Sequence, residues 1–110
     1  MFESKILGLI GLCKKAGKIV GGAQLCEKEI RARKSELIII ANDISKIGLK
    51  AITDMCNHYC VRYIMCSDMN SLGKAVGALG DRSVLSVNDK GFSDAILKKY
   101  NDLQLGRNGE

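Results

Sequence analysis

The feature that most constrains this chain is a run of five apolar residues, Leu37 to Ala41, whose three central members are all isoleucine. The run is short and rich in β-branched side chains, which predicts a strand rather than a helix. Because no polar residue alternates with the apolar ones, both faces of this strand have to be covered. A chain that contains such a strand needs a layer of helices on each side of its sheet.

The segments around this run supply those helices and further strands. Apolar residues at three- and four-residue spacing predict helices, and short β-branched segments between them predict strands. The predicted helices span residues 3–16, 23–33, 45–59, 71–76 and 91–100, with Ser71 as the N-cap of the fourth. The predicted strands are residues 19–20, 37–41, 61–66 and 83–87. This alternation predicts an α/β fold, a three-layer α/β/α sandwich around a small mixed sheet.

A length of 110 residues suits one domain. We expect residues 1–100 to form it and the polar residues 101–110 to be a frayed C-terminal tail. No apolar run approaches the length of a membrane span and no basic-then-apolar leader is present, so a cytoplasmic protein without a membrane partner is expected. The five cysteines are scattered through apolar segments, which indicates reduced thiols rather than a disulfide framework.

The charge balance favours a polyanionic partner. Lys and Arg number 17 against 12 Asp and Glu, which gives a formal net charge of +5. Aromatic residues make up only 5% of the chain, which counts against a platform that stacks single-stranded bases.

Two glycines open the helix that follows the first predicted strand. Gly21 and Gly22 let the backbone turn sharply and approach a ligand closely. The free N–H groups and the dipole at the N-terminus of the helix favour anions. This predicts a site for a phosphate group, while an ordinary glycine turn before a solvated helix is an equally open alternative.

The two faces of this helix differ in polarity. At about 100° per residue, one face is apolar and belongs to the core, and the opposite face is polar and cationic. The core face carries Ala23, Cys26 and Ile30, and the polar face carries Gln24, Lys28 and Arg31. The polar face fits a phosphate backbone with a base edge nearby.

The residues Cys56, His58, Cys60 and Cys66 raise the possibility of a zinc site. Residues two apart on a helix do not face each other, so Cys56 and His58 cannot converge on one metal ion there. We therefore predict a core position for Cys56, an exposed His58 and no bound metal.

No arrangement of residues points to catalysis. The chain has one histidine, no Cys-x-x-Cys pair and no paired carboxylates at a recognisable spacing, and it lacks the sequence of a phosphate-binding loop. We predict that the protein is not an enzyme, has no cofactor and takes no small-molecule substrate.

Four separated segments together resemble a known family. These are Ala16-Gly17-Lys18, Gly22 to Ile30, Leu37 to Asp43 and Leu72 to Gly77. Their order and spacing resemble the kink-turn-binding ribosomal proteins, which include archaeal large-subunit and eukaryotic ribosomal proteins, the box C/D core protein and small bacterial relatives. The chain looks most like the bacterial relatives, over roughly residues 3–97. The resemblance implies an α/β/α sandwich that binds kink-turn RNA and catalyses no reaction.

The family signature, Gly-x-Asn-Glu-x-x-Lys, implies particular RNA contacts. Its Asn, Glu and Lys contact the guanines of tandem sheared G·A pairs. Gly22 and Lys28 match the signature, Gln24 stands where Asn is usual, and Leu25 replaces Glu. The carboxylate that accepts from guanine is therefore missing in this chain.

The family has a second contact surface after the Leu37–Ala41 strand and in the loop after Gly77. The matching positions here are Asn42 and Asp43, and Ala78 and Leu79. An apolar loop at this place can pack against a flipped-out base.

Together these observations predict a non-enzymatic protein that binds structured RNA with G·A pairs, including ribosomal RNA as a candidate. The alternative is a protein-interaction module on the same fold, with weak or no kink-turn binding and with Leu25 in the partner surface. The oligomeric state is left open. The predicted RNA-binding residues are Gly21, Gly22, Gln24, Leu25, Lys28, Arg31, Asn42, Asp43, Ala78 and Leu79.

Overall fold

A computed structural model describes residues 3–109, with side chains for residues 4–105. Helices and strands alternate along this part of the chain. In order they are α1 (Glu3–Lys15), β1 (Ile19–Gly21), α2 (Ala23–Arg31), β2 (Leu37–Ile40), α3 (Lys46–Tyr59), β3 (Arg62–Met65), α4 (Met69–Ala75), β4 (Val84–Val87) and α5 (Lys90–Gly109).

The four strands form a mixed sheet in the order β1-β4-β2-β3. β2 and β3 are parallel, whereas β4 lies antiparallel to both β1 and β2. The carboxyl ends of β1, β2 and β3 therefore meet the amino end of β4 at one edge of the sheet. We call this the carboxyl edge, and we call the opposite edge the amino edge.

Side chains of β2 alternate between two apolar cores, and both cores are closed by helices. Leu37 and Ile39 pack with buried residues of α1, α4 and α5, namely Ile6, Ile10, Cys13, Leu72 and Ile96. Ile38 and Ile40 pack with buried residues of α2 and α3, namely Cys26, Ile30, Ile52 and Cys56. All four β2 residues are fully buried. The predicted α/β/α sandwich is confirmed, and the reason is the apolar run that needs cover on both faces.

The fourth helix begins earlier than predicted. It starts at Met69 with Asp68 as its N-cap, and the Asp68 carboxylate accepts a hydrogen bond from the Ser71 amide at 2.7 Å. The prediction of Ser71 as the N-cap is wrong because Asp68, three residues earlier, already satisfies that amide.

The last helix is longer than predicted. It continues past Tyr100 to Gly109, so the predicted end at Tyr100 is wrong. Tyr100 and Leu103 are half-buried against the core at a spacing that continues the inward face of Ile96. Fraying of residues 101–110 stays a prediction, and Glu110, like Met1 and Phe2, lies outside the described residues. No helix within residues 3–109 is long and apolar enough to cross a membrane.

Candidate nucleic-acid interface

The two glycines at the end of β1 are required for different reasons. Gly21 pairs with Leu85, and a Cβ atom on Gly21 would lie 3.1 Å from the Leu85 Cδ2 atom. Gly22 has free space around the position of a Cβ atom but a φ of 104°, which L side chains rarely adopt. Gly22 also donates its N–H to the Val84 carbonyl at 2.9 Å, which fixes the turn to β4. Gly21 is thus needed for close packing against Leu85, and Gly22 is needed for the backbone conformation that leads into α2.

The N-terminus of α2 lies at the carboxyl edge without a side-chain cap. Gly22 is the N-cap residue, no side chain accepts from the first turn, and that turn contains no acidic residue. Uncapped N–H groups and the positive end of the helix dipole therefore face solvent. By contrast, Ser45 caps α3 and Asp68 caps α4 at the same edge. Of these three helix starts, only α2 is left open for an anion.

A shallow depression of about 410 Å³ lies beside this helix start. One wall is formed by Gly21, Gly22, Ala23, Gln24 and Leu25, and the other by Asp81, Arg82 and Ser83. The sequence interpretation missed the second wall. Those residues precede β4, and only the insertion of β4 between β1 and β2 brings them next to Gly22.

Arg82 is the cation nearest the glycine turn. Its Cδ would lie 3.4 Å from a Cβ atom on Gly21, so its aliphatic part packs directly on the backbone there. Its guanidinium donates to the Asp81 carbonyl at 2.8 Å, and its amide donates to the Met69 carbonyl at 3.0 Å. Arg82 is therefore held half-buried at the rim of the depression.

The residues predicted on α2 divide into two groups. Gln24 and Leu25 line the depression, and Leu25 is 51% exposed. Lys28 and Arg31 are exposed further along the helix and are not part of the lining. Arg31 lies 3.7 Å from the Glu27 carboxylate. The polar face of α2 is confirmed as exposed, but only its first turn belongs to the depression.

The apolar face of α2 is confirmed at two of its three predicted positions. Cys26 and Ile30 are fully buried. Ala23 is exposed, so its predicted core position is wrong. It is the first residue of the helix and lies at the edge of the sheet, where neither the sheet nor α3 covers it.

Asn42 and Asp43 follow β2 at the carboxyl edge, but the structure gives both of them other contacts. The Asp43 carboxylate accepts from the Met69 amide at 2.9 Å and so ties the loop after β2 to α4. Asn42 lines a separate cavity with Cys66, Tyr100 and Gln104, among other residues. Neither residue lines the depression beside α2.

Ala78 and Leu79 also behave differently from each other. Ala78 donates its amide to the Gly73 carbonyl at 2.9 Å and packs against the core, whereas Leu79 is fully exposed. Gly73 has no room for a side chain, because a Cβ atom there would collide with the Gly80 carbonyl oxygen. The loop between α4 and β4 is therefore pressed against α4, and it presents Leu79 to solvent and Arg82 to the depression.

The thiols do not form a metal site with the histidine. Cys56 is buried and His58 is exposed, as predicted. Burial raises the pKa of the Cys26 thiol to about 12 and that of the Cys56 thiol to about 11, which keeps both neutral at physiological pH. No group of three or more His, Cys, Asp or Glu residues that could hold a metal ion occurs in the part of the chain that the structure describes.

The three layers and the strand order β1-β4-β2-β3, together with a glycine-opened helix at the carboxyl edge, define a small α/β/α domain in which the start of α2 has no side-chain cap. The chain belongs to the ribosomal protein L7Ae/L30e/S12e/Gadd45 family, whose model matches residues 4–97.

Similar proteins support this assignment. A protein of Bacillus subtilis named RNA-binding protein YlxQ is 36% identical over 89 residues, which is 81% of this chain and 88% of the relative. Large ribosomal subunit protein eL8 of Picrophilus torridus is 28% identical over 110 residues, which is 96% of this chain and 86% of the relative.

A solved structure of a Bacillus halodurans protein of unknown function has a TM-score of 0.83 and 27% identity, and the match covers 88% of this chain and 97% of that one. A Giardia lamblia 15.5kD RNA binding protein has the same fold, with a TM-score of 0.77 at 22% identity, and the match covers 94% of this chain and 88% of that one.

Proposed function

We propose that this protein binds structured RNA through its carboxyl edge, with a preference for kinked RNA that contains G·A pairs, and that it catalyses no reaction. The observation that carries the proposal is the uncapped start of α2, beside a depression that Gln24 and Arg82 both line. The names of the relatives from Bacillus subtilis and Picrophilus torridus support RNA as the ligand and the cytoplasmic ribosome as the setting.

Each group at the depression has a role in this proposal. The first N–H groups of α2 and the Arg82 guanidinium bind phosphate oxygens, because a helix N-terminus and a fixed cation both favour anions. The Gln24 amide reads a base edge, since an amide both donates and accepts. Lys28 binds a second phosphate or a guanine edge further along the helix.

The exposed apolar residues complete the interface. Leu25 and Leu79 are large and exposed; Leu25 lies in the first turn of α2, and Leu79 lies in the loop that carries Arg82. We assign to them packing against the faces of unstacked bases, which is how structured RNA is commonly read. Gly22 keeps the backbone in the conformation that α2 needs, whereas Asp43 and Ala78 hold the loops through their contacts with Met69 and Gly73.

A protein-interaction module is the second candidate, and the exposure of Leu25 and Leu79 is the observation that favours it. An exposed leucine at the place of a family glutamate is suited to anchor an apolar partner surface. The two functions predict opposite results for the same substitution, as described below.

A gel shift with a kinked RNA that contains tandem G·A pairs and with a plain RNA duplex, each at two salt concentrations, tests the proposal. We expect tighter binding of the kinked RNA at both salt concentrations. Equal affinity and equal salt dependence for both RNAs would leave only non-specific electrostatics and would contradict the proposal.

Lys28→Ala tests the polar face of α2. If Lys28 contacts a base edge, the free energy of RNA binding should weaken by about 1–3 kcal/mol. If Lys28 contacts a phosphate, the salt dependence of binding should become shallower by about one unit of slope. Lys99→Ala is the matched control, because Lys99 is an exposed lysine on α5. The same loss in both variants would remove Lys28 from the site.

Leu25→Glu separates the two candidate functions. It restores the carboxylate of the family signature, so an RNA reader should discriminate better in favour of the kinked RNA even though the new charge repels phosphate. In a protein-binding module the same change places a charge in an apolar contact and should abolish it. If neither Leu25→Glu nor Lys28→Ala changes RNA affinity, salt dependence or discrimination while the fold stays intact, this face of α2 is excluded as the site.

A further inference from the structure

The amino edge of the sheet collects basic residues that the proposed site does not use. Two of them end α1, one follows the turn after α1, and two follow α2. We call these five residues the amino-edge surface: Lys14, Lys15, Lys18, Arg33 and Lys34. All five are exposed, and none of them forms an ion pair within the part of the chain whose side chains are described.

Backbone hydrogen bonds hold the two loops next to each other. The Lys18 carbonyl accepts from the Asn88 amide at 2.8 Å, and the Glu36 amide donates to the Val87 carbonyl at 2.8 Å. The loops after α1 and α2 therefore flank the end of β4. Strands in a sheet lie about 4.8 Å apart, so the two loops are separated by about 10 Å. Lys18 and Lys34 thus belong to one continuous surface.

Each loop is also bonded back to its own helix. The Lys18 amide donates to the Cys13 carbonyl, and the Lys34 amide donates to the Glu29 carbonyl, both at 3.0 Å. The Arg33 guanidinium carbon lies 5.5 Å from the centre of the Tyr59 ring, a cation–π distance that orders this side chain. Lys18, Arg33 and Lys34 therefore project from turns that backbone hydrogen bonds close, and Lys14 and Lys15 project from the last turn of α1.

The carboxylates near this edge are engaged elsewhere. Glu29 accepts from the Asn88 amide at 3.0 Å, Asp89 caps the start of α5, and Asp94 lies 3.5 Å from both Arg62 and Lys90. Glu36 is half-buried beside the turn. Because amides are neutral donors, these hydrogen bonds do not cancel the carboxylate charges, but the five cations outnumber Glu29, Glu36 and Asp89.

This surface is too far from the proposed site to belong to it. α3 runs from one edge to the other and contains 14 residues, which corresponds to about 21 Å. The Debye length at physiological ionic strength is about 8 Å, so the charges of one edge are largely screened at the other. A ligand at the amino edge thus makes its contacts separately from the RNA at the carboxyl edge.

We propose that the amino-edge surface binds the phosphate backbone of an RNA duplex, distinct from the RNA at the carboxyl edge, so that the protein bridges two RNA segments. Five cations within one surface match a line of phosphates, and contacts of this kind fix a duplex without reading its sequence. Arg33 lies over one face of the Tyr59 ring beside this surface and competes there with base stacking.

The test compares two triple variants that lose the same charge. The first is Lys14→Gln, Lys15→Gln and Lys34→Gln in the amino-edge surface. The matched control is Lys50→Gln, Lys98→Gln and Lys99→Gln, all exposed lysines of α3 and α5. The probe is a plain RNA duplex, whose log affinity falls linearly with log salt. In the first variant this fall should become shallower by roughly two to three units of slope, at about 0.9 per lost phosphate contact. The control should leave the slope unchanged.

A capture experiment tests the bridging itself. The protein is bound to an immobilised kinked RNA, and a labelled plain duplex is added. The wild-type chain and the control variant should retain the duplex, and the amino-edge variant should not. If kinked RNA is not preferred but the duplex slope still depends on the amino-edge lysines, the proposed function fails and the second surface stands.

Three results would overturn the proposal. Equal slopes in both triple variants would show that only net charge matters. A lower melting temperature of the amino-edge variant with an unchanged salt slope would show that these lysines stabilise the C-termini of the helices. Displacement of the duplex by polyglutamate at a lower charge concentration than by unlabelled duplex would show a protein-docking surface. If the triple variant does not fold, Lys34→Gln alone should lower the slope by about one.

Discussion

The two edges of the sheet attract anions by different means. The helices α2, α3 and α4 begin at the carboxyl edge, and the charged side chains there include the acids Asp43, Asp68 and Asp81. At the amino edge α1, α2 and α3 end, and the five cations of the amino-edge surface form no ion pair with any described side chain. Helix dipoles favour this arrangement, with acids near N-termini and cations near C-termini. Backbone groups therefore define the first surface, and side-chain charges define the second.

The largest effect should come from adding a side chain at Gly73, where α4 and the loop that follows it are in close contact. Gly73→Ala places a Cβ atom against the Gly80 carbonyl oxygen, so we expect a loss of about 1–3 kcal/mol in the free energy of unfolding. The loop that carries Arg82 should shift, and binding of kinked RNA should weaken, while duplex binding at the amino edge is kept. Denaturant unfolding and the two RNA probes measure this.

Gly8→Ala is the control for that substitution. Gly8 lies in α1 with open space around the position of a Cβ atom. Alanine has the higher helix propensity, so stability should stay equal or rise by up to about 1 kcal/mol. A similar loss in both variants would show that close packing of Gly73 is not what holds the loop.

The next effect concerns the cap of α4. Asp68→Ala removes the acceptor for the Ser71 amide, so a loss of about 0.5–2 kcal/mol is expected. Hydrogen bonds from the backbone and side chain of Ser71 lower the pKa of the Asp68 carboxyl. A lowered pKa in the folded state contributes stability at neutral pH that is lost as the pH falls below about 4.

The pH dependence provides the check on this prediction. The difference in unfolding free energy between the wild type and Asp68→Ala should shrink on acidification. Asp68→Asn keeps an acceptor but has no carboxyl to titrate, so it should cost less than alanine and show no such trend. A difference that is constant with pH would contradict the assigned hydrogen bond.

A smaller effect is expected for the amino edge. Lys34→Gln removes an exposed cation that has no ion pair among the described side chains, so the free energy of unfolding should change by less than about 0.5 kcal/mol. Denaturant unfolding of the variant and the wild type checks this prediction. A larger loss would mean that the cations of this edge stabilise the C-terminus of α2, and the contrast between the two edges would weaken.

The smallest effect is expected from chelators and reductants. The described part of the chain contains no disulfide and no group of three or more His, Cys, Asp or Glu residues that could hold a metal ion. The melting temperature should therefore not change when either reagent is added. Loss of the cooperative transition on chelation would show that a metal ion holds one of the edges in place.

The sequence predicted the layers well because one run of residues determined them. Leu37 to Ala41 required helices on both faces, and the spacing within α2 separated Cys26 and Ile30 from the polar face. It was harder to predict which of two nearby residues caps a helix. Asp68 and Ser71 are both good caps, and only the structure shows which side chain accepts from which amide.

The second wall of the depression could not be predicted from local pattern. Asp81, Arg82 and Ser83 are distant in sequence from Gly22, and they meet it because β4 runs antiparallel between β1 and β2. Asn42 and Asp43 show the reverse case. They follow the expected strand, but the Asp43 carboxylate accepts a hydrogen bond from the Met69 amide, and Asn42 lines a separate cavity.

The position of β4 also constrains the order in which the chain can complete its sheet during synthesis. β2 and β3 are parallel neighbours joined by α3, so they can pair as soon as residue 65 is available. β1 is made first, but its partner is β4, near residue 87, so β1 has to wait until nearly all of the domain has left the ribosome. Such long-range pairing slows folding and leaves an unpaired strand exposed in the nascent chain.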